Sequence, residues 1–158
     1  MRRECGVADA VKIRNATKTD IDGIMEIENS SFEWFDTFPK ALFNQYLNEY
    51  RDGFYVVVDQ SESIVGYAIL AEENGNGYLL SIAVHTKSRN RGVATLLMKF
   101  LETKCHEKGF RKLMLEVRVD NKHAIDVYRK RGLVEVGMTT DFYGDGADAL
   151  MMEKTVLG

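Results

Sequence analysis

At 158 residues the chain has the usual size of one domain and can close an apolar core without disulfides. Its 21 basic and 24 acidic residues leave a formal net charge of −3, which predicts no bulk attraction to nucleic acid or an anionic membrane and makes any positive site local. The apolar runs fall short of the ~20 residues that span a bilayer, residues 1–10 carry arginines but no apolar signal core, and Cys5 and Cys105 form no disulfide framework or metal cluster, so a cytoplasmic protein with reduced thiols is expected.

Residues 1–10 have no periodicity and read as a flexible tail ahead of one domain, 11–158. Residues 11–15 alternate as a short strand. Thr17 and Asp20 are spaced as a capping box opening a helix, with Ile21, Ile24 and Met25 as its apolar face and a break near 29–31. The next segment is aromatic without period: Phe32, Trp34, Phe35 and Phe38 either plug the core or wall a substrate pocket. Pro39 suits the first turn of a second helix, along which Leu42, Phe43, Tyr46, Leu47 and Tyr50 fall at helical spacing.

From Phe54 the period shortens. Residues 54–58, 64–71 and 78–84 read as three strands, joined by turns at 59–63 and at Gly75-Asn76-Gly77, which implies an antiparallel meander. A polar, basic loop over 85–91 leads into a helix over 94–108, with Ala94, Leu97, Met98, Leu101 and Cys105 on one face and Gly109 as its stop. Strand 112–119 follows. Its alternation puts Met114, Glu116 and Arg118 opposite Leu113, Leu115 and Val117. Asn121 caps a helix over 121–131, and strands at 133–139 and 147–156 close the chain around a loop rich in Gly and Asp. The strand–helix–strand passage should make 78–84 and 112–119 parallel neighbours. The class is α/β: a mixed, mostly antiparallel sheet flanked by helices, with a central parallel pair that would open a crevice near its carboxyl ends if the two strands splay.

Strand, basic loop and helix start together make an anion site, because the first backbone N–H groups of a helix lack intrahelical partners and meet the positive end of its dipole. Arg89, Asn90, Arg91, Gly92, Val93 and Ala94 fit R-x-x-G-x-A, which resembles the pyrophosphate loop of the GCN5-related N-acetyltransferases (GNAT). A second run, from Glu116 to Leu133, reads N-x-x-A-x-x-x-Y-x-x-x-G-[FL] after an E-V-R strand. It is similar to the RimI-like ribosomal-protein alanine acetyltransferases and the archaeal Ard1-like branch. The resemblance covers roughly residues 11–156.

That resemblance implies the GNAT fold and acetyl-CoA as cofactor. Ile82, Ala83 and Val84 would meet the pantetheine arm; Arg89, Asn90, Arg91, Gly92, Val93, Ala94 and Thr95 would hold the pyrophosphate; and Asn121 would lie along the cofactor. Tyr128 would act as general acid at the thioester sulfur, and Glu116 would act as base. Tyr143 in the last loop would face the aromatic segment and hold a peptide N-terminus, with Phe32, Trp34 and Phe35 opposite it. The chain has FEWFDTFP where many Ard1-like sequences have an L-P-E-N-Y segment, which leaves Glu33 and Asp36 as alternative acidic contacts to the amine.

An α-amine has a pKa near 8 and a lysine amine about 10.4, so roughly a tenth of the first and well under a thousandth of the second is neutral at pH 7. An N-terminal substrate therefore asks less of a base. Protein N-termini, with ribosomal proteins among the candidates, are the expected partners, acetylated by direct attack in a ternary complex; monomer and homodimer both stay open. The alternatives are a small amine or lysine substrate, or a non-catalytic acyl-CoA-binding module. No Walker-type or dinucleotide glycine motif occurs, and His85, His106 and His123 are too scattered for a metal site.

Overall fold

The computed structural model describes residues 10–31 and 37–156. The elements run β1 (Lys12–Asn15), α1 (Ile21–Ser31), α2 (Lys40–Glu49), β2 (Phe54–Val58), β3 (Ile64–Glu73), β4 (Asn76–Val84), α3 (Val93–Glu107), β5 (Lys112–Arg118), α4 (Lys122–Lys130), β6 (Val134–Thr139) and β7 (Ala149–Thr155). The strands follow the order β1-β2-β3-β4-β5-β7-β6 in one mixed sheet. β4 and β5 form the expected parallel pair, whereas β1–β2, β2–β3, β5–β7 and β6–β7 are antiparallel. The parallel register covers Gly77↔Leu113, Tyr78↔Met114 and Leu79↔Leu115, although β4 continues to Val84 and β5 to Arg118.

Two compact units divide the described residues: the chain up to Ile69 with Ser81–Leu97, and Leu70–Leu80 with the chain from Met98 onward. In the first, the Thr17 capping box is formed, with Thr17 N–H donating to Asp20 Oδ2 at 2.8 Å. Burial works against the Asp20 charge, but hydrogen bonds from Arg14 and Thr17 outweigh it and hold the carboxyl below its ordinary value. The face of α1 that turns inward carries Ile21, Ile24 and Ile27, while the expected Met25 is only half-buried. Pro39 stands one position ahead of α2 as its N-cap. Phe43, Phe54 and Tyr67 pack with centroids 5.6–6.3 Å apart and make the aromatic heart of this unit.

Glu28, 1% exposed, lies in that core. Its carboxylate accepts the Phe38 N–H at 2.8 Å and the Tyr67 hydroxyl, and the Tyr67 hydroxyl shares a further hydrogen bond with Ser81 Oγ at 2.9 Å. Burial raises the Glu28 pKa, and the two donors only partly offset it.

In the second unit β5 shows the predicted alternation, with Leu113, Leu115 and Val117 buried, as are Leu101, Cys105, Ile125 and Met152. The turn before β4 is Asn74-Gly75, not Gly75-Asn76-Gly77: both central residues are left-handed, at φ 53° and 80°, as a two-residue hairpin turn requires. β3 therefore reaches Glu73 and β4 starts at Asn76. Gly77 becomes a strand residue in close contact. A Cβ there would stand 2.7 Å from Cys105 Sγ and 3.1 Å from the Phe110 ring, so Gly77→Ala should destabilise by about 1–3 kcal/mol through overpacking. A thermal midpoint equal to that of the parent would refute it.

β6 begins at Val134, after the buried Leu133, and β7 is trimmed to Ala149–Thr155. Glu135 lies opposite Met152 and Gly137 opposite Met151, so Val136 is an extra residue that bulges from the ladder. Val134, Val136 and Met138 remain exposed, at 59%, 51% and 54%.

Candidate functional site

In the first unit, β4 ends at Val84 and the chain makes a short 3-10 turn, Thr86–Ser88, before α3. Asn90 and Gly92 are both left-handed, φ 62° and 82°, and this reverses the chain into the helix. Gly92 meets that geometry without a Cβ penalty and leaves the helix start unobstructed. The first bond of the helical ladder is Leu96 N–H to Gly92 O at 2.9 Å, so the N–H groups of Val93, Ala94 and Thr95 stand ahead of it. Arg89, Asn90, Arg91 and Gly92 are exposed, and Arg89 Nε–H donates to Val84 O at 3.3 Å, tying the basic loop to the strand end. Ile82 is half-buried there; Ala83 and Val84 are buried.

The second unit gathers the candidate proton-handling groups. Tyr78 lies on the same face as Met114, its register partner on β5, and so on the face of Glu116. The Tyr78 hydroxyl donates to Glu116 Oε1, so the mid-strand carboxylate has a partner. Burial and the Glu116 charge together push the Tyr78 phenol well above its ordinary value, which keeps it a donor.

Asn121 caps α4 as expected, its Oδ1 accepting the Ala124 N–H at 3.2 Å, and thereby sets the start of the helix that carries Tyr128. Tyr128 is 8% exposed, and its hydroxyl forms no hydrogen bond among the described residues. Its pKa is raised, first by burial and then by the nearby Tyr143. Tyr143 also raises Tyr78, so it lies within electrostatic reach of both phenols.

The cluster of Glu116, Tyr78, Tyr128 and Tyr143 thus joins three expected residues to one that sequence reasoning missed. Tyr78 is a polar-tipped residue in an apolar strand, at a position that a parallel β4–β5 pair sets beside Glu116; that register was the available signal. Arg118 and Asp145, which hold the Tyr143 loop, were also missed as site residues. Phe32, Glu33, Trp34, Phe35 and Asp36 lie outside the described residues. Cys105 is buried against Gly77, and burial pushes its thiol up to about 11, far from a nucleophilic thiolate. No group of three or more His, Cys, Asp or Glu suited to a metal occurs among the described residues, and no helix of theirs is long and apolar enough to cross a membrane.

The family model described as the Acetyltransferase (GNAT) family matches residues 21–133. An N-alpha-acetyltransferase of Sulfolobus acidocaldarius is 35% identical over 154 residues, covering 89% of this chain and 90% of its own. The crystal structure of Ard1 from Thermoplasma volcanium superposes with a TM-score of 0.88 at 29% identity, over 94% of this chain and 99% of that one. A ribosomal-protein-alanine N-acetyltransferase from Brucella melitensis gives a TM-score of 0.74 at 28% identity, over 91% and 99%. A match of this reach, found on a seven-stranded sheet whose parallel pair leads into an open helix start, makes the chain a member of the GNAT family of acetyltransferases.

Proposed function

We propose that this acetyltransferase modifies the α-amino group of protein N-termini, by direct attack with both substrates bound, in the cytoplasm and as one domain over residues 11–158. The observation that carries the reading is the Tyr78–Glu116 pair, with Tyr143 in electrostatic reach of both Tyr78 and Tyr128. It is supported by relatives named for N-alpha acetylation that align along nearly their whole length.

The residues present fit acetyl-CoA, the acetyl donor of the family. The N–H groups of Val93, Ala94 and Thr95, with Arg89, Asn90 and Arg91 and a Gly92 that adds no bulk, suit a pyrophosphate, and Ile82, Ala83 and Val84 suit the pantetheine arm. When bound, acetyl-CoA supplies an activated acetyl thioester.

The Tyr78 hydroxyl fixes Glu116 Oε1 and leaves Oε2 to accept the amine proton, directly or through one water. Tyr128 Oη, kept protonated by burial, donates to the departing sulfur. Tyr143 holds the peptide end. Among the described residues the free cysteine is Cys105, whose buried, protonated thiol is a poor acyl carrier, which favours direct attack.

The test is thiol release from acetyl-CoA with peptides varied at residue one, N-blocked peptides carrying one lysine, and a polyamine. Turnover is expected with free N-termini and with neither of the others. Turnover confined to lysine or polyamine would overturn the substrate class. Tight CoA binding without turnover of any amine would overturn the reaction itself.

A further inference from the structure

The loop between β6 and β7, residues 140–148, carries Tyr143 and lies across one side chain of the neighbouring β5. Arg118 Nη1 and Nη2 donate to Asp145 Oδ1 and Oδ2 at 3.1 and 2.6 Å, and its Nε donates to Asp120 Oδ1 at 3.2 Å. The same guanidinium lies 5.1 Å from the centroid of the Tyr143 ring, which also meets the Phe142 ring at 4.9 Å and 73°. Asp145 Oδ1 also accepts the Ala147 N–H at 3.1 Å, and Val119 N–H reaches Asp148 O at 3.1 Å, so the loop is fastened at its turn and at its base. Arg118 is two residues beyond Glu116, on the same face of β5.

We infer that Arg118 is a positioning residue: by gripping Asp145 in a two-pronged bond and standing 5.1 Å from the centroid of the Tyr143 ring, it fixes that tyrosine relative to Glu116 and so sets affinity for the peptide substrate. This rests on the N-terminal acetylation reading. A planar fork is needed, because an ammonium group cannot make the bidentate bond to Asp145. Lysine at this position would keep the charge and lose the placement.

The experiment compares Arg118→Lys, Arg118→Met and Asp145→Asn with the parent. Each arginine variant should raise peptide KM about 10-fold and lower kcat much less, with acetyl-CoA KM unchanged. In a Tyr143→Ala background Arg118→Met should add little, since the arginine acts through that ring. Amide exchange of Phe142, Tyr143 and Gly146, whose N–H groups are bonded within the loop, should quicken about 10-fold in Arg118→Met. Unchanged exchange would overturn the inference whatever the substrate is. So would additive effects with Tyr143→Ala, full activity of Arg118→Lys, or parallel losses in both KM values and thermal midpoint, which mark a merely structural arginine. If the parent turns over no peptide, the acetylation reading fails and the peptide role with it, while amide exchange still decides whether Arg118 holds the loop.

Discussion

Tyr128→Phe is expected to lower kcat by about 10²–10⁴-fold, the usual contribution of a positioned acid, while acetyl-CoA affinity stays within about twofold. The substitution removes one oxygen, and that oxygen bonds nothing among the described residues, so the folded state should lose little. Burial raises the Tyr128 pKa above that of an ordinary phenol. A raised pKa keeps the proton in place as pH rises, so between pH 7 and pH 10 the parent's kcat should show no falling limb that Tyr128→Phe abolishes. Measured kcat within a factor of two of the parent would remove Tyr128 from the acid role. A limb below pH 9 that disappears in the variant would contradict the burial argument.

Glu116→Gln should cost about 10²–10³-fold in kcat/KM at pH 7 for a peptide with a free N-terminus. Gln keeps an oxygen to accept the Tyr78 hydroxyl, so packing is preserved and only the proton acceptor is lost. The deficit should shrink as pH rises from 7 to 9, because an α-amine with pKa near 8 goes from about a tenth neutral to mostly neutral and needs the base less. Tyr78→Phe should cost less, about 10-fold, since the carboxylate stays but loses the donor that fixes its oxygen. A kcat/KM for Glu116→Gln within threefold of the parent, measured by initial rates of thiol release, would rule this pair out as the base.

Strands and helices were legible wherever apolar residues kept a clean period. β5 is the clearest case, because three buried side chains alternate with half-buried ones along its length. The phosphate loop was legible for a different reason: its groups are consecutive in the chain. Relations between distant residues were not. Glu28 sits on an otherwise ordinary amphipathic helix, and what admits its carboxylate to the core is a hydroxyl 39 residues away and one loop N–H. Tyr78 is likewise 38 residues from Glu116, and only the strand register brings them together. The Asn74-Gly75 turn was misread by one residue because three turn-prone residues in a row, Asn74 to Asn76, do not say which two take positive φ. Arg118 was seen only as a strand residue, since its partner Asp145 lies 27 residues further along the chain, and sequence spacing does not reveal that contact.

The bulge at Val136 has a consequence for how the chain behaves in company. β6 ends the strand order, so one rim of its backbone has no neighbouring strand among the described residues, and three apolar side chains lie exposed along it. A flat rim of that kind is a template on which copies of a protein aggregate edge to edge. The extra residue interrupts the spacing of donors and acceptors halfway along β6 and bends the strand, so an incoming strand can match only a short stretch on either side of the kink. One added residue thus shortens the stretch of this margin that a strand of another copy could extend.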